Sequence, residues 1–163
     1  MEWMILPLKR YFEFSGRSRR KEYWMFVLFT VIVSIVLGIL DEVLGLKFGE
    51  SDSVRDNGVL GSIFSLATFI PSIAVAVRRL HDTDRSGWWL VVPVVAVLVM
   101  IVAAIGGAMG GTSEGASVGL IVAMSIAGIS GLILLVLFCL DGTRGPNRFG
   151  DDPKGVAYEG VFD

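Results

Sequence analysis

The residues best suited to chemistry lie in one short polar stretch, Arg78-Arg79-Leu80-His81-Asp82-Thr83-Asp84-Arg85-Ser86-Gly87. His81 is the only histidine, and beside Asp82 and Asp84 it has the residue types of a metal ligand or an acid–base group. A lone imidazole supplies neither a His-rich metal site nor a nucleophile–base pair, and no cysteine or serine is singled out as its partner. The one cysteine, Cys139, sits in an apolar run, which excludes an intrachain disulfide and a cysteine metal site. The sequence therefore points to no catalytic residue, no cofactor and no metal, and to a protein that is not an enzyme. The alternative for the stretch is a solvated turn in which Asp84 or Ser86 caps the next helix.

Two other polar segments carry the remaining candidates. Upstream lie Arg17, Arg19, Arg20 and Lys21; downstream, Asp141-Gly142-Thr143-Arg144-Gly145-Pro146-Asn147-Arg148-Phe149-Gly150-Asp151-Asp152-Pro153 is rich in turn formers. Glycines beside Thr and Arg suggest a phosphate cradle, but no strand precedes them and no Gly-Lys-Ser/Thr follows. The signs are complementary: Arg78, Arg79 and Arg85 face Asp141, Asp151 and Asp152, while Asp82 and Asp84 can receive Arg144 and Arg148. A single cap built from the central loop and the tail is expected. With Asn147 and His81 these residues form a candidate interaction surface.

The elements that must position this surface are membrane helices. Of 163 residues 53% are hydrophobic and only 18% charged, and the mean hydropathy is +0.69, outside ordinary globular composition. Uncharged runs give spans at about 23–40, 58–77, 87–106 and 116–140, each long enough for a helix to cross roughly 30 Å of hydrocarbon. No period-two alternation supports barrel strands. The fold expected is an all-α membrane protein: one polytopic domain with segment 1–22 at the interface and a tail, 141–163. Over twenty residues precede the first run, against a cleaved signal peptide. Twelve basic residues lie on one side of these spans and only Lys47 and Arg55 on the other, which puts both termini in the cytoplasm.

Tyr23 and Trp24, like Trp88 and Trp89, follow basic residues at a span start, as interfacial anchors do. Segment 1–14 mixes Trp3, Ile5, Leu6, Tyr11, Phe12 and Phe14 with Lys9 and Arg10, the composition of a surface-lying segment, although Pro7 argues against one helix. Pro71 and Pro93 allow kinks. Small residues recur at helical spacing at Gly61, Ser65, Thr68, Ser72 and Ala76, and at Gly119, Ala123, Ala127 and Gly131, predicting close packing between helices. No ionisable residue falls in mid-span, against a proton-coupled carrier.

Three stretches together, Tyr11 to Trp24, Arg78 to Trp89 and Gly145 to Pro153, resemble the bacterial inner-membrane proteins of the domain of unknown function 805 family. The resemblance implies a small multi-pass protein of the inner membrane and adds no reaction. The chain departs from commoner members in a longer acidic first loop and a Gly/Ala-rich turn before span four. The function expected is binding, of anionic lipid head groups or a partner protein, through the basic cytoplasmic face, with homo-oligomers possible and no nucleic acid involved. The alternative is a small oligomeric channel or solute/lipid transporter.

Overall fold

A computed structural model describes residues 2–46, 58–108 and 113–155. Five helices follow in order: α1 (Glu2–Lys9), α2 (Arg20–Leu44), α3 (Val59–Asp82), α4 (Val91–Ala108) and α5 (Ser113–Cys139), with a 3-10 turn at Gly87–Leu90 before α4. Four helices are long and apolar enough to span a membrane, and their outward faces carry exposed Leu, Ile and Val. A bilayer supplies the apolar solvent such faces require.

The helices overrun the uncharged runs, because their charged ends are buried or used as caps. α2 starts on Arg20-Lys21-Glu22, and α3 continues through Arg78 and Arg79 to Asp82. α4 and α5 extend into the glycine-rich connection, of which 109–112 lies outside the described residues, as does the acidic part of the first loop at 47–57. Pro7 does not prevent α1, which ends two residues beyond it. Pro93 falls in the first turn of α4, where a missing N–H leaves no helical bond unmade.

α2 and α3 form one hairpin and α4 and α5 a second, more extensively packed one. Asp41 fastens the first at the end remote from the termini. Gly45 closes α2 in a left-handed conformation, φ 65°, and the Asp41 backbone carbonyl accepts from Leu46 N at 2.9 Å. The Asp41 carboxylate then accepts from Leu60 N and Gly61 N, at 3.0 and 2.9 Å, capping α3. A side chain at Gly58 would occupy the space of that carboxylate. Asp41, nominally a loop charge, is thus a buried cap.

The two hairpins meet near the opposite end, where Ala76 and Leu80 of α3 pack with Leu134, Leu137 and Phe138 of α5, and Tyr23 and Leu90 lie against them. Phe29 of α2 meets Phe64 of α3, with ring centroids 6.4 Å apart. The small-residue seams are only partly used. In α3, Thr68 and Ala76 are buried but Ser65 is exposed; in α5, Ala123 is buried, whereas a Cβ on Gly119 or Gly131 would meet nothing within 4 Å. Close packing along the whole α5 seam is therefore corrected: Ala123 is buried but Gly119 and Gly131 pack against nothing, and α5 meets α3 through Leu134, Leu137 and Phe138.

Candidate functional site

The last turn of α3 is a junction for the N-terminal segment, α5 and the tail. Gly16, Arg17 and Ser18 run along it consecutively. His81 Nδ1 lies 3.1 Å from the Gly16 carbonyl, Arg17 reaches Asp82, and Ser18 N donates to the Arg78 carbonyl at 3.1 Å. Since a carbonyl only accepts, His81 Nδ1 carries the proton of that bond. Gly16 bends the chain into this path with φ 83°.

Asp82 holds two arginines. Arg17 approaches Oδ1 through Nε and a terminal nitrogen, both at 3.0 Å, and Arg79 donates to Oδ2 at 2.6 Å. All three side chains are at most 3% exposed. Burying such charges is unfavourable unless they are paired and their remaining protons are satisfied, and here the C-terminal end of α5 supplies the acceptors. Arg79 donates to the carbonyls of Phe138 and Leu140, Arg20 to Cys139 at 2.9 Å, and Trp24 Nε1 to Phe138 at 3.3 Å. Three successive carbonyls that a helix end leaves unpaired are therefore met from α2 and α3, with cations where the helix dipole favours them.

The tail docks on the other side of Asp82. Arg17 donates to the carbonyls of Thr143 and Gly145 at 2.6 and 2.7 Å, and Thr143 N to the Asp82 carbonyl at 2.8 Å. Gly142 passes where a Cβ would collide with the Asp82 carboxylate. Asn147 donates to the His81 carbonyl at 2.9 Å, and a tight Asn147–Gly150 turn lays Phe149 flat on His81, centroids 3.9 Å apart and planes 3° from parallel. Arg148 pairs with Asp84 at 3.1 Å, and Asp152 accepts from Gly145 N at 3.0 Å.

The cap of loop and tail is present, with different partners from those the charges suggest. Asp82 takes Arg17 and Arg79 instead of Arg144, because Arg17 immediately precedes α2, whose start packs beside the end of α3. Asp141 pairs with Arg20 and Lys154, at 2.6 and 3.0 Å, instead of with a loop arginine. Only Arg148 with Asp84 matches. Ser86, not Asp84, caps the 3-10 turn, accepting from Trp88 N at 3.4 Å.

Of the candidate surface residues, Arg17, Arg78, Arg79 and Asp82 are buried and do not belong to an exposed face. Lys21, Arg85, Arg144, Arg148 and Asp151 are exposed, and Arg19, Arg20, His81, Asn147 and Asp152 are intermediate. Trp88 is largely exposed, Trp24 and Trp89 are moderately so, and Tyr23 is half-buried against Phe138. Glu22 escaped the sequence reading: it is buried, 3.4 Å from the Arg78 guanidinium. Its signal was a lone carboxylate among four basic residues at a span start.

Outside the spans two carboxyls of the tail are held below the ordinary aspartate range, Asp141 first by the Lys154 ammonium and Asp152 by the backbone N–H groups of Lys154 and Gly145. Among the described residues no three His, Cys, Asp or Glu side chains come together as metal ligands would. The arrangement acts as a charge-paired clasp.

Four apolar helices fastened by such a clasp define a small polytopic membrane protein. The chain belongs to the family described as protein of unknown function (DUF805), whose model matches residues 11–151. It is 40% identical to the inner membrane protein YhaI of Escherichia coli (strain K12) over 154 residues, covering 94% of this chain and 97% of that one. Inner membrane protein YhaH of the same strain is 39% identical, with 94% and 98% covered. The uncharacterized protein YiiR of that strain is 30% identical, with 91% and 90% covered. No solved structure matches. The three stretches that resemble the family in sequence meet at the clasp.

Proposed function

We propose that the protein is a non-enzymatic inner-membrane module whose clasp end faces the cytoplasm and gathers anionic lipid head groups. The observation that carries this reading is which cations remain over. Arg17, Arg78 and Arg79 are consumed internally, whereas Lys9, Arg19, Lys21, Arg85 and Arg144 have no carboxylate partner among the described residues. Arg19 and Lys21 flank the Trp3 ring, 5.6 and 5.9 Å from its centroid, and α1 and the turn after it expose Ile5, Phe12 and Phe14. An aromatic and apolar face edged by free cations suits an interface with negative surface potential. The bias of twelve basic residues against two sets the orientation, since cytoplasmic segments carry the excess of Lys and Arg.

The test is lipid enrichment around the purified protein in polymer-bounded discs cut from membranes of mixed anionic and zwitterionic lipid. Anionic lipid should exceed its bulk share, and both high salt and the combined Lys9→Gln, Arg19→Gln and Lys21→Gln changes should reduce the excess. A composition equal to bulk would defeat the reading. Cross-linking of the same positions to a protein in native membranes, without lipid enrichment, would assign the face to a protein partner instead. Reporters fused at either terminus should be cytoplasmic; an external signal from either would reverse the orientation.

A further inference from the structure

The two hairpins diverge from their shared contact, leaving an apolar cleft of about 1000 Å3 between α3 and α4. Phe69, Ile73, Ala76 and Val77 line one wall, and Leu90 and Val94 the other. The hydroxyl of Ser72, in the lining, donates to the Thr68 carbonyl at 2.6 Å and has no proton left for an occupant. From His81 at the clasp end to Phe69 at the far end is about 18 Å at roughly 1.5 Å per residue. That is close to one leaflet of a hydrocarbon core of roughly 30 Å. The depth and apolarity match a single acyl chain of the adjoining leaflet.

The mouth differs from the walls. Phe14 and Trp88 frame it, with His81 and Ser86 between them. His81 spends Nδ1 on the Gly16 carbonyl and its face on Phe149, so in the neutral ring Nε2 is an acceptor without a donor among the described residues. Beside Ser86, Arg85 lies 5.5 Å from the Trp89 ring centroid and has no carboxylate partner among the described residues; the neighbouring Asp84 is occupied by Arg148. The clasp end of the cleft therefore offers one acceptor, with one unpaired cation adjoining it in sequence at Arg85, next to the lining residue Ser86. From this we infer that the cleft holds one anionic phospholipid with a hydroxyl-bearing head group, its acyl chain along α3, its phosphate at Arg85 and a head-group hydroxyl at His81. This rests on the proposed orientation and lipid preference, and adds a specific site of one-to-one occupancy that does not use the Lys9, Arg19 and Lys21 cations of the rim.

The full-length protein is reconstituted with phosphatidylglycerol and phosphatidylethanolamine, released into mild detergent and weighed intact by native mass spectrometry. One phosphatidylglycerol should remain bound per chain. Ile73→Trp, which fills the slot, should lose it at least tenfold, while Val136→Trp on the outer face of α5 should keep it. Arg85→Gln should abolish the preference for phosphatidylglycerol while leaving a lipid bound. Should Ile73→Trp fail to fold, photoactivatable acyl-chain phosphatidylglycerol decides on the unaltered protein: labelling concentrated on residues 69–77 supports the site, and labelling spread over all lipid-facing helices overturns it. Absence of a retained lipid, or equal retention in a folded Ile73→Trp variant, also overturns it. The Lys9, Arg19 and Lys21 changes that test the rim should leave this lipid in place. A lipid composition equal to bulk around the unaltered protein, with the one retained lipid intact, would thus refute the rim and not the cleft.

Discussion

The hydroxyl of Tyr11 donates to the carbonyl of Ala67 at 2.8 Å, across 56 residues of sequence. Ala67 is the residue whose carbonyl Pro71, four positions on, has no N–H to serve. In the apolar depth of a membrane an unpaired carbonyl is costly, so the N-terminal segment repairs a defect that the proline makes in α3.

Tyr11→Phe should therefore destabilise the protein by about 1 to 2 kcal/mol, as loss of a partner to a poorly hydrated polar group does. In a Pro71→Ala background, where residue 71 regains its N–H, the same change should cost measurably less. Equilibrium unfolding in mixed micelles across the four proteins gives the coupling; additive effects would mean that the hydroxyl serves something other than the proline gap.

Asp82→Asn leaves Arg17 and Arg79 buried without a countercharge, and should cost about 3 to 5 kcal/mol, the usual range for breaking a buried ion pair from one side. Protease should then cut the 143–155 segment faster, since Arg17 also holds the Thr143 and Gly145 carbonyls. An unchanged midpoint and cleavage rate would show that the clasp contributes nothing to tail docking.

Leu134 is 7% exposed within the contact between hairpins, whereas Gly131 faces open space. Leu134→Ala should cost about 2 to 4 kcal/mol, as large-to-small core changes do. Gly131→Leu should be tolerated in the single chain. Thermal unfolding in detergent ranks the two, and a strongly destabilised Gly131→Leu protein would place another surface against that face of α5.

The contribution of Asp152 to tail docking should be constant from neutrality down to the ordinary aspartate value of 3.8, and weaken below it. Asp152 titrates lower when docked than when free, because two backbone N–H groups favour its ionised form. Its stabilisation is therefore present above the free value and is lost as pH falls through the docked one. Limited proteolysis with an acid-active protease reads the transition, and Asp152→Asn should remove the share due to Asp152 while that of Asp141 and its Lys154 partner stays.

The spans were legible because runs such as 23–40 contain no charge, and hydrocarbon selects for that property alone. Their ends were not. Arg20 to Glu22 and Arg78 to Asp82 look like loop in a charge count, yet they are helical because Glu22, Arg78, Arg79 and Asp82 find one another across the junction. Complementary signs foretold contact between loop and tail, but Asp82 prefers Arg17, a pairing decided by how α2 starts beside the end of α3, which charge alone does not encode. Asp41 shows the same limit: its role depends on Gly58 bringing the start of α3 over its carboxylate, a tertiary relation with only a faint local signal.

The capping of α5 also bears on the order of biosynthesis. Arg17, Arg20 and Arg79 emerge from the ribosome well before Phe138 to Gly145, the stretch whose carbonyls they require. Until that stretch arrives, the first hairpin sits in the bilayer with Arg17 and Arg79 missing those acceptors, and only the nearly finished chain completes the set. A nascent chain stalled before residue 138 would thus carry a lasting polar defect at its clasp end. The finished chain conceals it.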